Sequence, residues 1–432
     1  MVTTDSPSLS IFYEDQKVGE LSYHLGTETF HLRYSAEWMK TGFALSPHLP
    51  LVGEILPENT RKFLENLLPE EEALKTLARA LKIAPSNIFA LISAIGREAT
   101  GAFTFASGGE KVETSFRPIS LKELTVRVRE RATQPIGLWD GKPRLSLAGV
   151  QEKLAVTLKN GEYGFGEGKL ASTHILKFSK KDQHLVLNEF FCMKLAEKIG
   201  LGVARVEMLS LGERVLQVER FDRAWKGETH VVRKHVIDGC QALNAPPGFK
   251  YQRIVPVGKH RDDYLGPVNV VNLSSFNQQC RVPAKAQLQL LHWILFNLVI
   301  GNTDNHGKNI SYYVSKNGYE IAPSYDLVNV TVYKDFHQEL AFQIGDTFVL
   351  DEVMAFQLAE MGQQMNLSPR FVGSHLKKLA TSILKALDEV GVDDLTPDER
   401  EFMNELQRNI KSRAQKFVKQ VGLIGSVAKN LK

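Results

Sequence analysis

A polar decapeptide set directly after the most apolar helix of the chain constrains the fold more than any other stretch. Leu288–Ile300 reads as a buried helix, and Gly301-Asn302-Thr303-Asp304-Asn305-His306-Gly307-Lys308-Asn309-Ile310 follows it. A strand-like run, Ile310–Val314, comes next, then Ser315-Lys316-Asn317-Gly318 and a second run, Tyr319–Ala322. Asn-Gly between alternating apolar runs is a strong hairpin signal, because both central turn positions need positive φ. With Asn317-Gly318 as the two-residue loop, Lys316 faces Tyr319. Counting back along both strands sets Asn309 opposite Asp326 of Ser324-Tyr325-Asp326-Leu327. Directly opposed residues have Cβ atoms about 5 Å apart, and a bulge would shift the register by one. An Asn and an Asp that converge in this way are hard oxygen ligands suited to Mg²⁺ with phosphates and water. A hairpin with two polar ends and no metal is the plain alternative.

Asp304 stands five residues before Asn309. Protein kinases set a base aspartate and a metal-binding asparagine at that spacing in their catalytic loop; an ordinary polar turn has the same residue types. A second informative region is Ser146-Leu147-Ala148-Gly149-Val150-Gln151-Glu152-Lys153, which leads into Leu154–Leu158 and turns back at Asn160-Gly161 through Tyr163-Gly164-Phe165. A small-residue loop ahead of a strand–turn–strand unit can set backbone N–H groups against phosphate oxygens, although this is neither GxxxxGK[ST] nor GxGxxG. Thr173–Phe178 is a strand with one lysine, Lys177, amid apolar residues. Lysine is seldom buried without a partner; an edge-strand lysine reaching solvent is the bland reading. Asn188 is expected to cap a helix that Gly200 closes, with Glu189 in its first turn to favour the dipole or pair with Lys177. Arg214–Arg223 reads as a strand with a charged end.

A chain of 432 residues holds two or three domains, or one two-lobed enzyme. With 43% hydrophobic and 24% charged residues it has the make-up of a soluble globular protein. The net charge of +4 permits an acidic or nucleic-acid partner without requiring one. Cys192, Cys240 and Cys280 are far apart and lack metal spacing, so a reducing cytoplasm is expected. The start of the chain lacks the basic end and apolar core of a signal peptide. The apolar helix carries His292 and Asn297 and is too short to span a bilayer, so no membrane association is expected. Residues 9–34 alternate as strands, 58–69 and 70–94 read as helices, and 101–105 as a strand. Together they form an N-terminal α+β module, residues 1–107. Residues 121–133 form a charged helix, and 108–237 group as a second region. Beyond residue 238 a Gly/Pro/polar stretch, 246–283, precedes a mainly helical part that includes 351–423. The basic tail from Lys411 is a solvated helix face or a contact for nucleic acid.

Taken together these motifs resemble the HipA family, two-lobed Ser/Thr kinases that act as toxins of bacterial type II toxin–antitoxin pairs. The resemblance rests on Asn66-Leu67-Leu68-Pro69, Ser146–Lys153, His174-Ile175-Leu176-Lys177, Asn188-Glu189 and Glu219-Arg220-Phe221-Asp222-Arg223. It continues in Asp238-Gly239-Cys240-Gln241, Lys250-Tyr251, Gly301–Asn309 and Tyr325-Asp326. It implies an α+β, two-lobed protein-kinase-like fold, with a mixed N-lobe (108–237) after the extra N-terminal module and a mainly α-helical C-lobe (238–432). It implies Asp304 as the catalytic aspartate and Asn309 and Asp326 as Mg²⁺ ligands. ATP would be met by Lys177, by Ala148, Gly149, Val150, Gln151, Glu152 and Lys153 over the phosphates, and by Glu219, Arg220 and Phe221 at the adenine. Asp304, Asn305, His306, Gly307, Lys308, Asn309, Tyr325 and Asp326 complete that set. Ser146 matches a self-phosphorylated serine whose modification expels the phosphate-covering loop. The resemblance further implies a HipB-like helix-turn-helix antitoxin, operator DNA reached through it, and glutamyl-tRNA synthetase as the best-known substrate. A kinase of lipids or small molecules, or a catalytically silent DNA-bound co-repressor, are the competing readings.

Overall fold

The computed structural model describes residues 6–98, 100–108, 113–144, 151–179, 183–253 and 265–427. Ser146 and Ala148, Gly149 and Val150 therefore lie outside the described residues, as do Lys429 and Lys432 of the basic tail. The chain divides into two compact units that exchange segments along the sequence. One comprises Met1–Ser179, Glu207–Ile237 and Tyr312–Gly318, and the other Lys180–Val206, Asp238–Ser311 and Tyr319–Lys432.

Among its described residues the first unit holds a four-stranded and a six-stranded sheet besides two-stranded ones. Ser8–Tyr13 is the inner partner of both Gln16–His24 and Phe103–Ala106, and Thr29–Tyr34 completes a four-stranded sheet. Alternation puts Leu9, Ile11, Leu21 and Phe105 into its core, each almost fully buried. The helical stretch expected over 70–94 is two helices, Glu71–Leu81 and Ile88–Ile95. Lys82 takes a left-handed φ of 56° that closes the first, and the Asn87 side chain caps the second. The second sheet has six strands in the order Val206–Ser210, Arg214–Glu219, His174–Phe178, Lys153–Lys159, Glu162–Glu167 and Ser115–Ile119. Its core packs Leu154, Val156, Leu176 and Val215 against Leu124 and Val128 of the helix Leu121–Glu130.

The second unit is mainly helical. Pro283–Ile300 starts on a proline, which suits the first helical turn, and is buried on nearly every side. Pro369–Ala386 and the 31-residue Pro397–Val427 both pack on it. Of the basic tail, Lys411, Lys416 and Lys419 lie on this last helix, and Arg413 turns inward to Asn409 Oδ1 (2.8 Å) and Thr331 Oγ1 (2.9 Å). The polar region expected over 246–283 contains a helix, Val270–Phe276, capped by the Asn269 side chain. Asn188 does not cap its helix, which runs Leu185–Lys198 and begins three residues earlier. Asn188 is instead fully buried, giving Nδ2 to the Asn329 carbonyl (2.9 Å) and accepting the Asn329 N–H at Oδ1 (2.9 Å). An interior demand for hydrogen bonds overrides the cap preference there.

Candidate active site

The decapeptide is presented by the end of the buried helix. Gly301 closes Pro283–Ile300 with φ 79°, and both its N–H and that of Asn302 donate to the Asn297 carbonyl (3.0 and 2.9 Å). The buried Asn302 gives Nδ2 to Asn297 Oδ1 (2.8 Å), and its own Oδ1 accepts the Asp304 N–H (3.1 Å). Thr303 is tied by its carbonyl to the Ala341 N–H (3.0 Å) and by its hydroxyl to the His337 carbonyl (3.2 Å). Amid neighbours that are nearly all buried, Asp304 is exposed. Its carbonyl accepts from the His306 N–H (2.8 Å) and from Asn309 Nδ2 (2.9 Å).

That last bond bears on metal binding. With Nδ2 spent on the Asp304 carbonyl, Asn309 keeps its Oδ1, a hard oxygen that receives no hydrogen bond from the described residues. Asp326 has φ 53°, a left-handed conformation uncommon outside glycine, and its carbonyl accepts from Asn302 Nδ2 (3.4 Å). Asn302 thus contacts the backbone of both segments that carry the expected ligands. The chemistry of this donor set, one carboxylate and one carboxamide oxygen, fits Mg²⁺.

The hairpin that suggests the pairing forms one residue earlier than expected. Its strands are Ser311–Ser315 and Gly318–Ile321, so Lys316-Asn317 make the turn and Gly318, at φ 97°, opens the return strand. The Ala322 N–H donates to the Ser311 carbonyl (2.8 Å). Asn309 lies before the first strand, in the single 3-10 turn Gly307–Asn309, so the facing-residue count does not reach it. Asn302, rather than strand register, links the two segments.

Lys308 and Tyr325 serve the loop's own structure. The Lys308 ammonium lies 2.8 Å from Asp238 Oδ2, with both side chains nearly buried. The Tyr325 hydroxyl donates to the Lys308 carbonyl (2.6 Å) and lies 2.7 Å from the Ser311 hydroxyl; burial pushes its pKa well above the usual tyrosine value. Gly307 gives its N–H to the Lys250 carbonyl (2.9 Å), and a Cβ there would stand 2.5 Å from Val268. His306 is buried, with its ring edge-on to Tyr251 at 5.2 Å. Asn305 is buried too, and its Oδ1 finds no partner among the described residues.

Tyr251 is the residue that sequence reasoning misses. Its hydroxyl donates to Asp304 Oδ1 at 2.5 Å across 53 residues of chain. Lys250-Tyr251 is visible as a motif, yet nothing in the sequence links it to Asp304.

The first unit carries the other expected residues. Lys177 and Lys153 are directly paired across adjacent inner strands and both are buried. Gln151 gives Nε2 to the Phe178 carbonyl (3.1 Å) and Glu152 pairs with Arg131 (3.3 Å). At Glu219–Phe221 the Glu219 side chain is exposed, while Arg220 is locked inward: its guanidinium grips both oxygens of Asp222 (3.0 and 2.9 Å) and reaches Ser172 (2.9 Å). The Phe221 carbonyl accepts the Tyr313 hydroxyl (2.9 Å).

Comparison with known proteins adds to this geometry. The model of the HipA-like C-terminal domain matches residues 145–388, and that of the HipA N-terminal domain matches residues 9–106. The chain belongs to the HipA family. It is 40% identical, over 97% of its own length and 98% of the relative's, to the serine/threonine-protein kinase toxin HipA of Shewanella oneidensis. The Sinorhizobium fredii protein Y4mE is 32% identical over 88% of this chain and 91% of that protein. Among solved structures, the Shewanella oneidensis HipA in complex with HipB and operator DNA matches with a TM-score of 0.89, covering 97% of this chain and 99% of that one. This HipA-family chain is thus a protein-serine/threonine kinase with the mixed α/β, kinase-like fold of its relatives. Among the described residues no helix is long and apolar enough to cross a membrane.

Proposed function

We propose that this HipA-family protein is an ATP-dependent serine/threonine kinase toxin of a HipBA-type pair, with Asp304 as its catalytic aspartate. The observation that carries the reading is the placement of Asp304, exposed on a loop whose other residues are mostly buried, with Asn309 tied to its carbonyl. Phosphoryl transfer needs positioning and charge neutralisation more than covalent help. Asp304 orients the acceptor hydroxyl and takes its proton while that oxygen bonds to the γ-phosphorus and the bond to the ADP oxygen breaks. Lys177, with Lys153 beside it, holds the phosphates. Asn309 and Asp326 would hold Mg²⁺, which supplies charge neutralisation at those phosphates when bound. Glu219–Phe221 meet the adenine through groups other than the Arg220 side chain, which is committed to Asp222.

The loop Ala148–Lys153 covers the phosphates, and Ser146 is the self-phosphorylation site. A phosphate there adds about two negative charges beside the place where those of ATP must bind, which silences the enzyme. The protein substrate is a translation factor such as glutamyl-tRNA synthetase. The likeness to the Shewanella HipA found with HipB and operator DNA supports a HipB-like antitoxin and operator DNA as partners, with the toxin acting as co-repressor. Incubation with ATP and Mg²⁺ followed by mass spectrometry should find one phosphate on Ser146, absent in Asp304→Asn. An unmodified Ser146 in the active wild-type protein would remove this part of the proposal.

A further inference from the structure

We infer that Tyr251 is a positioning residue for phosphoryl transfer: its hydroxyl fixes one oxygen of Asp304 so that the other is aimed at the acceptor. The inference rests on Asp304 being the catalytic aspartate. A carboxylate offers two acceptor oxygens and rotates freely about its last bond. Oδ1 of Asp304 receives the Tyr251 hydroxyl at 2.5 Å, a short distance for a hydrogen bond to a carboxylate. Oδ2 receives no hydrogen bond from the described residues. One oxygen is therefore held and one is available to an incoming Ser or Thr hydroxyl.

The holding group is itself fixed on both sides. The Lys250 carbonyl accepts the Gly307 N–H (2.9 Å), and the Gln252 N–H donates to the Ala341 carbonyl (2.9 Å). Ala341 in turn donates its N–H to the Thr303 carbonyl (3.0 Å), next to Asp304. Gln252 Oε1 accepts the Gln343 N–H (2.8 Å), and the tyrosine ring meets the edge of His306. The segment 250–252 is thus stitched to the catalytic loop at Gly307 and, through Ala341, at Thr303. These bonds fix the backbone that carries the tyrosine, and its ring packs edge-on against His306. A loop aspartate that must otherwise be oriented by substrate is oriented in advance, which lowers the entropic part of the barrier.

Tyr251→Phe keeps the ring and its packing and removes only the hydroxyl. Phosphate transfer to a protein acceptor should fall about tenfold in kcat, within the range that small misplacements of reacting groups cost. The KM for ATP, nucleotide affinity by fluorescence titration and the melting temperature should stay at wild-type values. Tyr251→Ala should be no worse in kcat than Tyr251→Phe. Wild-type kcat in Tyr251→Phe with a defect only in Tyr251→Ala would assign the ring a packing role and overturn the inference. A rise in KM for ATP without a fall in kcat would do the same. Asp304→Asn, run alongside, separates the two levels. If it turns over normally the catalytic assignment fails; if it is silent while Tyr251→Phe is normal, only the role of Tyr251 fails.

Discussion

Lys153 and Lys177 sit directly opposite each other on neighbouring inner strands, so their side chains share one face of the six-stranded sheet. Both are buried. Two ammonium groups on one face of a sheet suit a polyphosphate ligand. Lys177→Met and Lys153→Met should each weaken ATP binding about tenfold, the size of one lost charge-assisted hydrogen bond. Isothermal titration measures the effect; unchanged ATP affinity in both variants would make the pair structural.

Asp222 is buried between Arg220 and Arg223, with oxygens 2.9 Å from Arg220 Nη2 and 2.6 Å from Arg223 Nη1. Burial works against its charge, but the two guanidinium groups win and hold its pKa well below the ordinary carboxylate range. Asp222→Asn leaves two arginines in the interior without their counter-charge. The expected loss is about 3–5 kcal/mol, the range for breaking a buried pair from one side. Urea unfolding followed in the first unit checks it.

His235 is fully buried; its Nε2 donates to the Leu45 carbonyl (2.7 Å) and its Nδ1 accepts the Ala102 N–H (3.5 Å). Burial lowers its pKa to about 4 from the usual 6.5. Between those values the unfolded chain binds a proton that the folded one refuses, so stability rises with pH there. On acidification from pH 6.5 to 4 this group alone should cost about 3 kcal/mol. Burial also lowers the pKa of His292, to about 4, which steepens the loss in the second unit. Urea titrations at pH 7 and pH 5 should show the drop, and His235→Gln should flatten it in the first unit.

Gly301 sits at φ 79°, where a side chain is strained by about 1–2 kcal/mol. A Cβ there would also stand 2.5 Å from Arg413 Nη1 and 2.6 Å from Thr331 Oγ1. Gly301→Ala should therefore lower stability by about 2 kcal/mol and also slow turnover, because the displaced turn carries Asn302 and Asp304. Gly422→Ala, open around its Cβ on the last helix, should do neither.

What the sequence reveals divides along physical lines. The helix ending at Ile300, the loop after it and the strand bearing Lys177 are legible because each has a local signature: apolar density, glycine punctuation, alternation. The facing of Lys153 and Lys177 is not, since strand register is a tertiary choice. The hairpin turn falls one residue earlier than the Asn-Gly signal predicts because Gly318 supplies positive φ from the first position of the return strand rather than from inside the turn. Asn188 reads as a helix cap by residue type, but its amide satisfies Asn329, 141 residues away. Tyr251 is visible in the Lys250-Tyr251 motif but its role is not, because its partner Asp304 is distant in sequence. Ser146 and the residues up to Val150 stay a sequence-based proposal.

Transfer of the ATP γ-phosphate to protein, measured in wild type and in Asp304→Asn with nucleotide affinity followed in parallel, tests the central claim most directly. If Asp304 orients and deprotonates the acceptor, incorporation is abolished in Asp304→Asn while nucleotide affinity stays within about threefold, since the aspartate touches the acceptor and not the adenine or its lysines. Incorporation at the wild-type rate in Asp304→Asn would contradict it.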